Sequence, residues 1–514
     1  MIDATPLLKL YAARRLRHVQ AENVCESQRA QLMSLVGRAA DTKFGRDHKF
    51  QRIRSVEEFQ AAVPLRRYED FWRDYWQPDF PVLKDRTWPG VIPFFALSSG
   101  TSAGASKYIP CSEAMNRANS RAALDLLVHH AGNRRATHVL AGKIFMLGGS
   151  TELTRLADGI YAGDLSGIAA SRASSWMRPF TFPPPELALI ADWEKKVAAV
   201  SAAILQQNIR AIAGTPSWLL IFFEHLFAMR PELPDRLGAF FPDLELLVHG
   251  GVNFAPYRQQ FDRLLENSRA ETREAYAASE GFIAVADRGP GDGLRLITDN
   301  GLFYEFIPVG EVGNPTPARH WIKDVQPGID YAIAVTSCAG LWSYIIGDTV
   351  RFVDTSRPRL IVTGRISYAL SSFGEHLTGE DVETAVAEAA KAIGASVSDF
   401  AVGTIYPGTE RSRGGHQYIV ELSCAPANPE HPKRFIELVD RELSRRNDDY
   451  RAHRSGGFGM DSPRLLLVRR GSFEAWMKSR GRLGGQNKVP RIINDQQLFA
   501  SLREFCTQNV IASA

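Results

Sequence analysis

The stretch FFALSSGTSAGASKYIPCSEAM, residues 94–115, sets an apolar run against a cluster of small hydroxyl and glycine residues and then a lysine, Lys107. Ser98, Ser99, Gly100, Thr101, Ser102 and Gly104 allow a backbone to come close to a ligand. Their N–H and O–H donors are clustered in a way that suits phosphate oxygens. Flexible linkers share this composition, so the flanks decide. Residues 91–97 predict a buried strand, the KYIP that follows the loop predicts a second short strand, and Ser112 with Glu113 predicts the start of a helix running to about His130. A tight strand–loop–strand unit of this kind is no tether, and its donors would suit an anion. It is not the P-loop of nucleoside triphosphatases, because the spacing is G-x-x-x-G-x-x-K and no Ser or Thr follows the lysine.

The chain around this loop has 514 residues, too many for one core, which predicts two or three domains. Its hydrophobic fraction of 45% and charged fraction of 23% are those of a soluble globular protein. The formal net charge of +4 gives no support to nucleic-acid binding, which goes with strongly basic domains. Basic residues do gather late in the chain, at Arg464, Arg469, Arg470, Lys478, Arg480, Arg482, Lys488 and Arg491, and read at first as a solvated face. The five cysteines are scattered without a C-x-x-C pair, so neither a disulfide framework nor a zinc site is expected, and a reducing, cytoplasmic setting fits. No apolar window is long enough to suggest a signal peptide or a membrane span.

Residues 1 to about 75 read as helices, ending in an aromatic-rich segment whose spacing predicts core packing. Two long helical patterns follow, and then Gly214, Thr215 and Pro216 form a turn into a very apolar helix. From about 245 the pattern changes to short strands and turns, including a hairpin expected in GLRLITDNGLFYEFIPV with Asp299, Asn300 and Gly301 at its tip. After Arg365 the order becomes helix, strand, strand, helix, the pattern of a compact α+β unit. The expected division is therefore 1–365 and 366–514.

Four further segments carry polar groups where apolar runs end. EAYAASEG puts Tyr276, Ser279 and Glu280 at the end of a strand-like run. YIIGDTVRF sets Gly347 and Asp348 between two apolar stretches, where a carboxylate can accept two hydrogen bonds from a ribose diol. VTGRISY offers Gly364 and Arg365 at the expected domain junction, and GGQNKVPR offers Lys488 in a glycine-flanked loop. Each alone also suits an ordinary strand end or turn.

Together and in this order, with FYEFIP, GTPSW and TKFGRDHKFQRIRSVEEFQAAVPLRRYED, these motifs resemble the adenylate-forming enzymes, and most closely the acyl acid–amido synthetases of the auxin-responsive Gretchen Hagen family. The likeness spans nearly the whole chain. It implies an α/β fold with a large N-terminal domain and a small, mobile α+β C-terminal domain. It also implies an activity in which ATP converts a small carboxylic acid to an acyl-adenylate plus pyrophosphate, and an amine, usually an amino acid, then displaces AMP. No nucleic acid or membrane partner is implied. On the family pattern Ser98, Ser99, Gly100, Thr101 and Ser102 hold the ATP phosphates, Ser279 touches the α-phosphate and Glu280 ligates Mg²⁺, a hard cation suited to oxygen ligands. Tyr276 lies by the adenine with Gly250 and Gly251 nearby, and Asp348 holds the ribose. Arg365 sits at the hinge, and Lys488 swings in with the small domain to neutralise charge on the α-phosphate.

The chain departs from plant members in having Ile345 where they carry an arginine and His376 where they carry a lysine. A neutral histidine does not replace lysine as a phosphate partner. Two alternatives stay open at this point: adenylation with coenzyme A or another acceptor, and nucleotide or acid binding without turnover.

Overall fold

The computed structural model describes residues 2–513 apart from 99–106, 149–152, 173–175, 191–192, 252–253, 255–256, 290, 367–369, 371–376, 407–413, 425–427, 448–449, 452–453, 455–459 and 481–488. Its contacts divide the chain into two compact units. The first comprises Met1–Val252 with Leu265–Val362, the second Asn253–Leu264 with Thr363–Ala514. The chain therefore passes between the units three times, and the second unit takes in Asn253–Leu264, a segment that a single division at 365 does not provide for.

The first unit is built on an eleven-stranded mixed sheet. Four strands, Lys143–Leu147, Ile209–Gly214, Leu246–Gly250 and Glu271–Ala278, lie side by side and parallel. The strand at 209–214 ends as expected, with Thr215 extended and Pro216 opening the helix Pro216–Ala228, where its missing N–H is not needed. Beyond Ala278 the sheet continues with Gly281–Val285, Leu294–Leu296, Arg359–Arg365, Tyr344–Asp354, Asp330–Ser337 and Leu302–Pro308, in that lateral order. Every residue of Gly281–Val285 is buried, as a strand covered on both faces requires.

The hairpin expected around Asp299–Gly301 is not formed. Gly301 does turn the chain, at φ +71°, but Leu294–Leu296 and Leu302–Pro308 are separated by three intervening strands. Long-range partners take the tip residues: the Arg15 guanidinium bonds both Asp299 (2.5 and 3.0 Å) and Asp125, while Arg121 reaches Asn300 at 3.3 Å.

A smaller sheet carries the opening motif. Phe94–Ser98 and Lys107–Cys111 pair antiparallel, with Ser98 opposite Lys107, and Ile160–Gly163 pairs parallel on the other side. Ser112 then caps the helix Glu113–Asn133: its hydroxyl accepts from the Met115 amide at 3.1 Å and donates to the Cys338 carbonyl at 2.6 Å. The aromatic-rich segment is core, with Phe59, Phe71 and Trp76 fully buried around Phe44 and Trp342.

The second unit is α+β. A five-stranded sheet runs in the order Ile492–Ile493, Val397–Ile405, Gly415–Leu422, Arg464–Val468 and Val510–Ser513. The helix Gly379–Ala392 starts on a reciprocal cap between Thr378 and Asp381 and buries Val382, Ala385, Val386 and Ala389 on one face. Arg491 does not belong to a solvated basic face. It lies inside this unit, bonded to Asp399 and the Tyr257 hydroxyl, with its guanidinium 4.7 Å from the Phe400 ring centre. Among the described residues no helix is long and apolar enough to cross a membrane.

Candidate active site

The carboxyl ends of parallel strands are where an open α/β sheet presents its turns to a ligand. The strand Leu246–Gly250 ends there beside the strand Glu271–Ala278, with Gly250 opposite Ala275. A Cβ on Gly250 would lie 2.2 Å from the Ala275 carbonyl oxygen, so only glycine permits this approach, and Gly251 follows at φ +80°.

One residue on, Tyr276 is 8% exposed, and its hydroxyl donates to Asp348 Oδ2 at 2.7 Å. Asp348 reaches it because its strand bulges. Ala332 pairs with Thr349 and Ala334 with Ile345, leaving Ile346, Gly347 and Asp348 opposite Ile333 alone, with Gly347 at φ +99°. Bulges of this kind re-aim a side chain beside a site.

Past Ala278 the chain reverses through Ser279 and Glu280 into Gly281, which pairs with Ala278 and sits at φ +151°. Both turn residues are buried, Ser279 at 8% and Glu280 at 7% exposure. The Tyr344 phenol lies near enough to Glu280 to feel its charge. Burial first, and then the charges of Glu280 and Glu69, push that phenol well above its ordinary range, so it stays protonated. The same phenol has Tyr68 as a neighbour. Tyr68 in turn accepts from the Tyr108 amide at 3.1 Å, and Lys107 stands 5.3 Å over its ring and 3.6 Å from Glu69. Tyr68 and Glu69 thus stand at the base of the Ser/Gly loop.

The structure therefore joins Tyr276 to Asp348 and sets Gly250, Gly251, Ser279 and Glu280 beside Tyr276 at the ends of interior strands of the sheet. Ser98 ends its strand at the loop base, and Arg365 ends the strand Arg359–Arg365; for both only the backbone is described. Ser99, Gly100, Thr101, Ser102, His376 and Lys488 lie outside the described residues. Trp342 is core: it is fully buried, and its indole N–H donates to the Thr87 carbonyl at 2.9 Å. Sequence reasoning missed Tyr68, Glu69 and Tyr344. The available signal was the tyrosine four residues before Asp348, which the apolar reading of YIIGD hid.

Chemically these strand ends offer two carboxylates, hydroxyl groups and close backbone approach. Among the described residues no group of three or more His, Cys, Asp or Glu could hold a metal by itself. Glu280 fits a magnesium ion whose other ligands are phosphate oxygens and water, the usual arrangement for that cation.

Three successive stretches match the GH3 family N-terminal domain (residues 14–237), the GH3 family central domain (295–365) and the GH3 family C-terminal domain (380–497). The chain is 25% identical over 250 residues to indole-3-acetic acid-amido synthetase GH3.3 of Arabidopsis thaliana, covering 46% of this chain and 41% of that protein. The chain spans about half the length, or less, of the curated relatives it matches first. Its fold is similar to that of GH3.15 acyl acid amido synthetase, with TM-score 0.80 and 18% identity over 97% of this chain and 95% of the other. It is also similar to that of a 2-hydroxyisobutyryl-CoA ligase, with TM-score 0.61 and 16% identity over 93% and 91%. With all three of its domains matched in order along one chain, this protein belongs to the GH3 family.

Proposed function

We infer that the protein is an ATP-dependent acyl acid–amido synthetase. In the first half-reaction an oxygen of a small carboxylic acid attacks the α-phosphorus of ATP, forming acyl-AMP as pyrophosphate leaves. In the second, the nitrogen of an amine, an amino acid by family analogy, attacks the acyl carbon, and the C–O bond to AMP breaks. The observation that carries this reading is the Tyr276–Asp348 contact beside the buried Ser279–Glu280 turn, in a chain whose family domains occur in order.

In this reading Ser98, Ser99, Gly100, Thr101 and Ser102 cradle the phosphates with hydroxyl and backbone donors. Gly250 and Gly251 give the adenine a flat approach beside Tyr276, and Asp348 accepts from the ribose hydroxyls while Tyr276 fixes its orientation. Ser279 donates to the α-phosphate. Glu280 offers its carboxylate to Mg²⁺, which when bound neutralises charge on the phosphates. Lys488 stabilises the charge that grows on the α-phosphate in the transition state. The segment 366–514 acts as a lid turning near Gly364 and Arg365, with Lys488 at the nucleotide for adenylation and away from it for transfer. A cytoplasmic setting accords with five cysteines that form no disulfide.

The test is pyrophosphate exchange with labelled ATP across aryl, indolyl and aliphatic acids, followed by AMP release with amino acids. Acid-dependent exchange together with amine-dependent AMP release supports the reading. Exchange with AMP release only on adding coenzyme A assigns a thiol acceptor, and nucleotide binding without exchange assigns a binding protein.

A further inference from the structure

The helix Glu113–Asn133 lays a short stripe of side chains on the strand that leaves the Ser279–Glu280 turn. Ala122 and Leu126 of the helix are buried in one cluster with Phe282 and Val285 of the strand Gly281–Val285, and with Ile297. Asn119 comes three residues before Ala122, on the same side of the helix, and is the polar end of this stripe. Its Oδ1 accepts from the Phe282 amide at 3.1 Å. Its Nδ2 is buried and has no hydrogen-bond partner among the described residues. A leucine in its place would remove that unpaired donor, so what the asparagine contributes here is its oxygen.

The Phe282 amide needs that oxygen because of the way the chain reverses. Two-residue hairpin turns follow the twist of their strands when the turn residues take positive φ. Ser279 and Glu280 are not among the described residues that do so, and it is Gly281, just after the turn, that stands at φ +151°. The ladder then slips: Gly281 pairs with Ala278 and Phe282 with Ala277, but Ala284 rather than Ile283 pairs with Tyr276. On the other side the strand Leu294–Leu296 pairs only with Ala284 and Val285, beyond Phe282. Asn119 takes the place that a neighbouring strand would hold at Phe282.

We propose that Asn119 is a positioning residue: by holding the Phe282 amide it fixes where the Ser279–Glu280 turn ends, and so where the Glu280 carboxylate stands for the metal. The proposal rests on the reading of Glu280 given above. Glu280 is two residues from Phe282, and the residue between them, Gly281, has the widest freedom in φ, so the turn depends on an anchor beyond it. The helix that supplies the anchor is itself tied down at its start, where the Ser112 hydroxyl donates to the Cys338 carbonyl at 2.6 Å. Groups that orient a metal ligand from outside the coordination shell tune its affinity for the ion.

The test uses the full chain and a readout other than turnover: the Mg²⁺ concentration that gives half of the ATP-dependent thermal stabilisation. Asn119→Leu keeps the size of the side chain and removes the acceptor. It should raise that concentration about tenfold, the lower end of what loss of an orienting partner costs, with the melting temperature of the ligand-free protein little changed, since an unpaired donor goes with the lost bond. Asn119→Asp keeps an acceptor oxygen and should restore most of the wild-type value. Asn116→Leu is the control: Asn116 lies one turn earlier, with its Oδ1 accepting from the Cys111 thiol at 3.3 Å, and its loss should leave the midpoint in place. Glu280→Gln should give the largest rise. If Asn119→Leu does not fold, Asn119→Ala decides in the same assay. A midpoint within about twofold of wild type when the acceptor is removed, or an equal displacement in Asn116→Leu or in Asn119→Asp, with Glu280→Gln displaced, overturns the positioning role and leaves the proposed activity standing. If Glu280→Gln is not displaced, the assignment of Glu280 to the metal falls, and this proposal with it.

Discussion

Gly250→Ala is the sharpest perturbation of the nucleoside side of the site. The added Cβ would stand 2.2 Å from the Ala275 carbonyl oxygen, both being backbone-fixed positions on paired strands. A carbon–oxygen contact is comfortable at about 3.3 Å, so the strands must part by about 1.1 Å at this point. Tyr276 is the next residue, and a shift of that size would lengthen its 2.7 Å bond to Asp348 past the limit of about 3.5 Å for a hydrogen bond. A misplacement of about 1 Å at a reacting centre costs on the order of 10²-fold in rate, and overpacking of this kind costs about 1–3 kcal/mol of stability. The assay is kcat/KM for ATP in acid-dependent pyrophosphate exchange, with a thermal melt alongside. Gly310→Ala, where nothing lies within 4 Å of the added carbon, serves as the matched control and should behave as wild type. A Gly250→Ala enzyme within about threefold of wild type in kcat/KM would refute the claim that this close strand approach sets Tyr276 and Asp348.

Lys488→Ala should slow adenylation by about 10²–10³ while the ATP dissociation constant stays nearly constant; an equally large rise in that constant, measured by titration, would make Lys488 a ground-state binder. Gly364 sits at φ +146°, a value proline cannot take, so Gly364→Pro should impair pyrophosphate exchange and amide formation unequally if a lid turns there; proportionate loss in both would count against a hinge. The buried His130 gives a pH prediction. Burial lowers its pKa, but pairing with Glu245, 3.6 Å away, and with Glu271, at 2.6 Å, outweighs that and leaves it raised, so its contribution is complete below the unfolded value of about 6.5 and is lost as pH rises through the higher folded value. Burial raises Glu245 and Glu271, but pairing with His130 outweighs it and both are held at about 2, so their contribution is complete above the unfolded value of about 4.3 and fades toward pH 2. The stability gap between wild type and His130→Gln should therefore be widest between about pH 4.3 and 6.5 and close on the alkaline side; melting curves whose gap does not change with pH would exclude this.

Local signals were legible where the chain makes local structure. Ser112 announced its helix because a capping hydroxyl acts within three residues, and the strands on either side of the Ser/Gly loop were legible from their apolar runs. The Ser279–Glu280 turn stood out as polar residues ending a strand. What stayed hidden depends on partners distant in sequence. Asp299–Asn300–Gly301 reads as a hairpin tip, but Arg15 and Arg121 claim its polar groups and the flanking strands join different neighbours. The bulge at Ile346–Asp348 follows from the register against Asp330–Ser337, which no periodicity encodes. Arg491 looked like surface charge because nothing near it in sequence marks Asp399 and Tyr257 as its partners. The division of the chain is hidden for the same reason: the segment Asn253–Leu264, embedded in the first half of the sequence, is tied to the second unit by Gln260, whose amide donates to the Val397 carbonyl at 3.1 Å and to Ser423 Oγ at 2.9 Å.

In the proposed reaction the acid is activated at the α-phosphorus of ATP. Supplying the acid with both carboxylate oxygens labelled with ¹⁸O, together with ATP and an amino acid, follows the oxygen that forms the new P–O bond. Aminolysis breaks the C–O bond of acyl-AMP, so the account predicts one ¹⁸O atom in the AMP released and none in inorganic phosphate, read by mass spectrometry. Label in inorganic phosphate with ADP as the nucleotide product, or amide formed with unlabelled AMP, would contradict it.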